Sequence, residues 1–263
     1  MDLPPCVLTI AGTDPCGGAG VQVDLQVMRD HRCHGLSVIT AVVSQNTQGV
    51  RRWTPCSPDM VRDQILAIAE DIPVAAIKLG MLASPEIVDV VGELLGEHDA
   101  LVSCPVVCDP VLASGDGTVE LGRRHLVEAM RHALFARVDA LTPNVPEAET
   151  LLGYPITNPM DAVALLADHV RGGVLLKGGH WQGVEAVDWW SDGHVTRALQ
   201  AKARLDVDAR GTGCQLSTAI ACQMARGVDF ITAIDAARDY LHHLLSSAPV
   251  SIGKGKPVIV RVD

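Results

Sequence analysis

The apolar, β-branched runs of this chain lack inside–outside alternation, and each is followed by a segment with helical periodicity. Six such runs predict strands, at residues 7–11, 37–43, 75–79, 106–109, 138–141 and 174–177. Strands without alternation are buried on both faces, which is typical of a mainly parallel sheet between two layers of helices. The sequence contains neither a long linker nor an internal repeat, so we predict one three-layer α/β domain over residues 1–263.

Residues 184–199 differ from this pattern. Two short strand signals flank Ser191-Asp192-Gly193, a combination typical of a hairpin turn. We expect this hairpin to add antiparallel strands to one edge of the sheet. Two apolar helices are predicted after it, over residues 213–227 and 231–246.

The composition excludes several classes of function. With 48% apolar residues, the chain can form a substantial core, which excludes intrinsic disorder. A net charge of −10 argues against nucleic-acid binding, since that function requires clustered Lys and Arg. No apolar run is long enough for a membrane span and no export signal is present, so a cytoplasmic protein is expected. The 8 cysteines lack the paired spacing of zinc sites and are expected to stay reduced.

Polar residues follow the predicted strands, and ligands of parallel sheets bind at the carboxyl ends of the strands. These residues are Gly12-Thr13-Asp14, Gln45-Asn46-Thr47, Gly80-Met81, Asp109-Pro110, Thr142-Pro143-Asn144 and Lys177-Gly178-Gly179-His180. Their shared position predicts a binding site at this end of the sheet.

The best candidate for an anion site is Arg210-Gly211-Thr212-Gly213-Cys214, which leads directly into an apolar helix. Glycines allow successive N–H groups to point at one anion, and the helix dipole adds partial positive charge. The dipole is also expected to lower the pKa of the Cys214 thiol, which is then able to act as a base or as a hydrogen-bond acceptor. Nearby phosphate charge would raise this pKa, so a thiolate is not assumed. An ordinary loop-to-helix turn is the alternative.

Other polar residues each allow two interpretations. Asn144 and Glu147 open a predicted helix three residues apart, which suits either Mg²⁺ held through its waters or a capping box. Asp109 ends a buried strand, where an acid is costly unless it is exposed, paired or near a metal or phosphate. Lys177 ends another strand and either contacts phosphate or reaches solvent as an edge lysine.

Residues 11–20 form the densest glycine cluster, although they lack the Gly-x-Gly-x-x-Gly spacing of a dinucleotide fingerprint. Asp24 lies one helical turn beyond this cluster. Its carboxylate either accepts a hydrogen bond from a ligand amino group or belongs to a solvated helix face.

Seven segments occur in a single order between residues 7 and about 255: LTIAGTDPCGGAGVQVDL, SVITAVVSQNTQGV, IKLGML, CDPV, LTPNVPEAETLLG, VLLKGGH and GTGCQLSTAIA. In that order they resemble the hydroxymethylpyrimidine and phosphomethylpyrimidine kinases of thiamine biosynthesis, within the ribokinase-like superfamily. The resemblance implies a ribokinase-like fold and a homodimer. It also implies Mg²⁺- and ATP-dependent phosphorylation of hydroxymethylpyrimidine and then of its monophosphate.

The resemblance also implies roles for the residues at matching positions. The pyrimidine would contact Gly12, Asp24, Gln45 and Met81. The nucleotide would contact Asn144, Asp109 and Arg210, and Mg²⁺ would be held by Glu147 and Asp109. The transferred phosphoryl group would contact Gly211, Thr212, Gly213, Cys214 and Lys177. Cys214 occupies the position where many sugar kinases of the superfamily carry an Asp base.

Three segments depart from the family pattern. VLASGDG, after Pro110, lacks the Lys that usually precedes Ser-Gly; Arg210 stands where His is usual; and the tail reads GKGKPVIV. The first two lie near the expected phosphates, so they bear on the second phosphorylation more than on the fold. We hypothesise that Arg210 supplies the positive charge lost with the missing Lys.

Three other functions stay open. A pyridoxal or pyridoxine kinase is one, because DPVLASG is similar to those enzymes; the others are a single-step pyrimidine kinase and a non-catalytic pyrimidine-binding regulatory module. SQNT together with Asp24 favours the pyrimidine. The intact phosphoryl-transfer set argues against the regulatory module, because binding alone does not require it.

Overall fold

The computed structural model describes residues 3–112, 123–178, 185–200, 202–203, 207–247 and 250–259. The position of the missing lysine after Leu112 lies outside the described residues, as do Gly179, His180 and Val184. Within them, no helix is both long enough and apolar enough to cross a membrane.

Most of the described strands belong to one sheet. The strands are β1 (Cys6–Ala11), β2 (His34–Ile39), β3 (Ala41–Asn46), β4 (Gly49–Pro55), β5 (Val74–Leu79), β6 (Val106–Cys108), β7 (Ala140–Leu141), β8 (Gly173–Leu176), β9 (Glu185–Ala186), β10 (Trp189–Ser191), β11 (Thr196–Ala198) and β12 (Lys202–Ala203). The main sheet has the order β11-β10-β8-β7-β6-β5-β1-β2. Its strands from β2 to β8 pair in parallel, whereas β10 and β11 are antiparallel. The predicted parallel sheet with an antiparallel edge hairpin is therefore confirmed.

Helices cover both faces of this sheet. They are α1 (Gly20–Asp30), α2 (Pro58–Ala69), α3 (Pro85–Glu97), α4 (Arg123–Ala129), α5 (Val145–Leu152), α6 (Pro159–Ala167), α7 (Thr212–Met224) and α8 (Phe230–Ser246). A π-helical turn, Met130–Leu134, and a 3₁₀ turn, Phe135–Arg137, continue α4. The core on one face includes side chains from α2 to α6, and the core on the other face includes α1, α7 and α8. The predicted three-layer fold is confirmed.

Successive residues of a strand enter opposite cores. In β1, Leu8 and Ile10 belong to the core with α2 and α3, while Val7 belongs to the core with α1 and α7. Because both layers are apolar, the strand has no polar face. This explains why its sequence lacks alternation.

The prediction of one strand at residues 37–43 is wrong. The chain turns at buried Thr40, whose N–H donates to the Ala11 carbonyl (3.0 Å) and whose hydroxyl donates to the Met81 carbonyl. β2 therefore stays in the main sheet, whereas β3 pairs with β4 in a separate antiparallel ribbon. β4 carries the exposed Arg51 and Arg52 and lacks the apolar run that identifies the other strands.

Two further strands end one residue earlier than predicted, β6 at Cys108 and β8 at Leu176. Asp109 and Lys177 therefore follow their strands instead of ending them. Both residues lie at the carboxyl end of the sheet, where Lys177 also forms an isolated parallel bridge with Asn144.

The cap of α3 gives a test of the sequence-derived helix starts. The Ser84 side chain accepts a hydrogen bond from the Ile87 N–H at 3.3 Å, and Pro85 follows it at the first helical position. Ser84→Ala should lower the free energy of unfolding by about 1 kcal/mol, because this N–H loses its acceptor. Ser84→Asp keeps an acceptor and should retain stability. Urea denaturation measures both, and an alanine variant as stable as the parent would contradict the capping role.

Candidate active site

The carboxyl ends of the strands meet beneath the N-terminus of α7. Asp109 follows β6 and Lys177 follows β8, and both side chains face Gly213 in the first turn of α7. A Cβ at Gly213 would lie 3.1 Å from Lys177 Nζ and 3.4 Å from Asp109 Oδ2. The structure thus brings the predicted anion loop and two of the predicted strand-end residues together.

Two glycine segments pack against each other at this end of α7. Gly211 is the N-cap residue, with φ of 68°, and a Cβ there would clash with the Gly18 carbonyl oxygen. Both features require glycine. Because α7 begins at Thr212, the N–H groups of its first turn have no acceptor within the helix. They remain as donors for an anion.

Lys177 lies between two carboxylates. Its Nζ is 2.9 Å from Asp109 Oδ1 and 3.9 Å from Glu147 Oε2. Burial disfavours the charged form of Lys177, but the two carboxylates outweigh this effect and raise its pKa. Burial raises the pKa of Glu147 to about 7, although Lys177 opposes the change. Two carboxylates share one lysine, so the cluster can accept a further positive charge.

The donor set fits Mg²⁺ delivered with a nucleotide. Mg²⁺ prefers oxygen ligands and is often bound through one or two carboxylates together with substrate phosphates. Asp109 and Glu147 supply two carboxylates, and the described residues contain no metal-binding group of three or more His, Cys, Asp or Glu. These carboxylates therefore suit a metal that also binds phosphate, and they do not form a closed protein cage.

Asn144 and Glu147 form a capping box at the start of α5. The Asn144 N–H donates to Glu147 Oε2 at 2.8 Å, and the Glu147 N–H donates to Asn144 Oδ1 at 2.9 Å. The capping interpretation of this pair is confirmed. Its binding of nucleotide or metal stays a prediction.

The Cys214 thiol is neutral near pH 7. Burial raises its pKa to about 11, although the Lys78 ammonium opposes this change. The expectation that the helix dipole lowers this pKa is wrong, because desolvation of a buried thiolate outweighs the dipole. The Gly20 backbone also opposes the rise of this pKa. Cys214 is thus a hydrogen-bonding group, and little thiolate is present at neutral pH.

Gly12 and Met81 lie side by side, as expected for two residues of one pocket. A Cβ at Gly12 would lie 3.3 Å from Met81 Sδ and 3.6 Å from the Ala41 carbonyl oxygen. The Thr13 N–H donates to that same carbonyl at 3.0 Å. The ends of β1 and β5 and the start of β3 therefore form one continuous wall.

Gln45, on the ribbon, is linked directly to the anion loop. Its Oε1 accepts a 3.0 Å hydrogen bond from Arg210 Nη2, and Arg210 also lies 3.8 Å from buried Asp14. The Arg210 N–H donates to the Pro257 carbonyl at 3.0 Å, which connects the C-terminal tail to the site. Because Arg210 directly precedes the loop of Cys214, Gln45 and Cys214 lie on the same side of the molecule.

The structure does not place Asp24 at the surface of the site. This residue is fully buried, and its Oδ2 accepts hydrogen bonds from Thr9 (2.6 Å) and Lys78 (2.8 Å), while Oδ1 accepts one from Thr218 (2.8 Å). Its carboxylate oxygens are therefore used within the protein. The alternative of a solvated helix face is therefore wrong. The contact with a ligand amino group stays a prediction, which the present bonding of Asp24 does not favour.

Lys78 is a candidate functional residue that the motif analysis missed. It is fully buried in β5, where it forms an ion pair with Asp24. A signal was available, since a lysine within an apolar strand requires a buried partner. Asp14, which lies in the glycine cluster, was also not recognised as a partner of Arg210.

Two solved structures similar to this chain are kinases that act on small molecules. The crystal structure of phosphomethylpyrimidine kinase from Clostridium difficile 630 aligns with a TM-score of 0.78 and 33% identity, over 91% of this chain and 98% of that chain. The pyridoxal kinase from Staphylococcus aureus in complex with AMP-PCP and pyridoxal aligns with a TM-score of 0.84 and 26% identity, over 97% and 93%. With the anion loop at the start of α7, the fold defines a ribokinase-like small-molecule kinase.

The sequence comparisons identify the family. The family model described as Phosphomethylpyrimidine kinase matches residues 14–259. The hydroxymethylpyrimidine/phosphomethylpyrimidine kinase of Streptomyces coelicolor is 40% identical over 242 residues, which cover 90% of this chain and 87% of that relative. The chain therefore belongs to the phosphomethylpyrimidine kinase family, as the motif resemblance implied.

The protonation state of Cys214 can be measured by alkylation. Since its pKa is raised to about 11, modification by short pulses of iodoacetamide should be slow at pH 7 and should still accelerate above pH 9, because the thiolate is the nucleophile. Peptide mass spectrometry follows the modification of this cysteine alone. A rate that reaches its plateau by pH 8 would show a thiolate and contradict the neutral thiol.

Proposed function

We propose that this chain transfers the γ-phosphoryl group of ATP to the hydroxymethyl oxygen of 4-amino-5-hydroxymethyl-2-methylpyrimidine, and then to the resulting monophosphate, for thiamine biosynthesis. The hydrogen bond between Gln45 and Arg210 carries this proposal. It holds an amide suited to a pyrimidine next to a loop suited to phosphate. Family membership supports the same substrate class.

Gln45 is proposed to recognise the aminopyrimidine edge. An amide offers both a donor and an acceptor, and Arg210 already occupies Oε1, so Nε2 is left to donate to a ring nitrogen. Gly12 and Met81 would supply the wall beside the ring. The missing Cβ at Gly12 keeps this wall open, because the atom would lie 3.3 Å from Met81 Sδ.

Phosphoryl transfer requires alignment and charge neutralisation more than covalent chemistry. The N–H groups of Thr212, Gly213 and Cys214 and the ammonium of Lys177 would stabilise negative charge on the transferred group. The protonated Cys214 thiol orients the attacking hydroxyl and does not remove its proton in advance. A primary alcohol needs only this modest help when transfer is loose.

Asp109 and Glu147 are proposed to hold Mg²⁺, with Asn144 beside the nucleotide. Bound there, the metal would neutralise charge on the phosphates. Lys177 adds a positive charge from the chain itself, within 2.9 Å of Asp109. The two carboxylates thus keep both cations close to the anion loop.

We also propose that the whole chain is one kinase domain that forms a cytoplasmic homodimer. The family match, which covers residues 14–259, supports the single domain. The β3–β4 ribbon lies outside the main sheet and exposes Val42, whose relative exposure is 61%. An exposed apolar residue on such a ribbon suits contact with a second copy. Sedimentation velocity of the parent and Val42→Asp tests the homodimer.

A vitamin B6 kinase is the second candidate function. One observation favours it: the Staphylococcus aureus pyridoxal kinase has a higher TM-score to this chain than the Clostridium difficile kinase has. Sequence identity favours the pyrimidine kinase, as does the match to the family model. Because these indications differ, both substrates belong in one assay.

The assay supplies ATP, Mg²⁺ and either hydroxymethylpyrimidine or pyridoxal, and follows the products by phosphorus NMR. We expect a pyrimidine monophosphate that converts to the diphosphate, with a kcat/KM for the pyrimidine at least about tenfold above that for pyridoxal, a difference of 1.4 kcal/mol in transition-state binding. A product that stops at the monophosphate would indicate a single-step kinase. Thermal stabilisation by the pyrimidine without ATP turnover would indicate a binding module.

Arg210 provides a separate test of the second phosphorylation. If its guanidinium replaces the missing lysine, Arg210→Ala should lower kcat/KM for the monophosphate by about 30-fold, as expected for loss of one charge-assisted contact worth about 2 kcal/mol. Arg210→Lys retains the charge and should recover part of the loss. Steady-state kinetics on the alcohol and on the monophosphate separate the two steps. Equal rates for Arg210→Ala and the parent on both substrates would refute compensation.

A further inference from the structure

A buried polar cluster lies behind the anion loop, between α1, α7 and the sheet. We define it as Asp24, Lys78, Thr9 and Thr218. Asp24 and Lys78 have no exposed surface, and their ion pair measures 2.8 Å. Thr9 and Thr218 complete the hydrogen bonds of the carboxylate, at 2.6 and 2.8 Å.

The buried cluster joins the elements that carry the site. In α1, Asp24 lies one helical turn after Gly20, at the end of the helix that is packed against Gly211. In α7, Thr218 lies one helical turn after Cys214. The two helices are therefore joined twice: where Gly211 packs against Gly18 and Ala19 at their starts, and deeper in the protein through the hydrogen bond from Thr218 to Asp24.

Lys78 connects the same cluster to the pocket wall. It lies two residues before Gly80, and a Cβ at Gly80 would be 2.9 Å from its Nζ. Burial disfavours its charged form, but Asp24 outweighs this effect and raises its pKa, so the ammonium stays charged. The same ammonium opposes the upward shift of the Cys214 pKa.

Stability alone does not explain this ion pair. Removing two charges from water costs several kcal/mol per ion, and replacement of a buried pair by apolar residues is often neutral or stabilising. Removal of one partner, by contrast, is strongly destabilising, because the other charge is left uncompensated. This asymmetry allows the contribution to catalysis to be separated from the contribution to folding.

We propose that Asp24 and Lys78 are positioning residues for phosphoryl transfer: by fixing Thr218 they hold the first turn of α7, and with it Cys214 and the anion-binding N–H groups, in register with the substrate wall. This inference rests on the proposed function. It assigns Asp24 a different role from substrate contact. A displacement of about 1 Å at such groups can cost on the order of 100-fold in rate.

The experiment compares Asp24→Asn, Lys78→Met and the double variant with the parent. The single variants should melt at lower temperature, and the double variant should recover most of that loss because no unpaired charge remains. We expect kcat of the double variant to remain about 100-fold below that of the parent, while KM for the pyrimidine stays within about threefold of the parent value. Asp139→Asn is the control. Asp139 directly precedes β7, at the end of the sheet opposite the site, and this variant removes its ion pair with Arg171.

Thr218 gives a second measurement with smaller changes. Thr218→Val removes the hydroxyl and keeps the shape, so kcat should fall, while Thr218→Ser restores the hydrogen bond to Asp24 and should rescue kcat. If both retain the activity of the parent, the anchoring of α7 through Thr218 is refuted. This pair decides the question if the charge variants do not fold.

Two outcomes would overturn the proposal. Recovery of kcat together with melting temperature in the double variant would show a purely structural pair. A large rise in KM for the pyrimidine with kcat unchanged would show that Asp24 contacts the substrate. Failure of the proposed function has a different signature, because the parent itself would then not phosphorylate the pyrimidine; the variants would be compared on pyridoxal.

Discussion

The close packing of the starts of α1 and α7 is the contact on which the site depends. Gly211 fits against the Gly18 carbonyl and the Ala19 Cα only because it lacks a Cβ. This contact brings together glycine segments almost 200 residues apart in the chain. It sets the position of the start of α7 above the strand ends, and the hydrogen bond from Thr218 to Asp24 supports it a turn deeper. The glycines are therefore required by close approach.

Charges of opposite sign alternate below this contact. Lys177 pairs with Asp109 at 2.9 Å, and Lys78 pairs with Asp24 at 2.8 Å. Each lysine stays charged because its carboxylate outweighs the effect of burial on the pKa. Burial instead keeps the Cys214 thiol neutral. The start of α7 thus offers an anion the Lys177 ammonium and backbone N–H groups without a nearby thiolate, an arrangement that suits a loose phosphoryl transfer.

The sequence allowed prediction of what depends on local pattern. The continuous apolar strands predicted the sheet, and the Gly-Thr-Gly-Cys loop before a helix predicted the anion loop. The sequence could not reveal features that depend on residues distant in the chain. The strand β4 is polar because one face of the ribbon is solvated. Asp24 has the local pattern of a ligand contact, although Lys78 and Thr218 bond to its carboxylate. The prediction of a lowered pKa for Cys214 was wrong for the same reason, because burial is a property of the whole fold.

Two of the three departures from the family pattern, Arg210 and the C-terminal tail, contact each other beside Gln45. Arg210 donates its N–H to Pro257 of the unusual tail, and the tail donates the Lys256 N–H to Thr47 of the SQNT segment, both at 3.0 Å. Arg210 also bonds to Gln45 in that segment. Tail, ribbon and anion loop therefore form one closed chain of contacts. A change at residue 210 alters the same contacts as a change in the tail, because both segments are bonded to the ribbon beside the Gln45 amide.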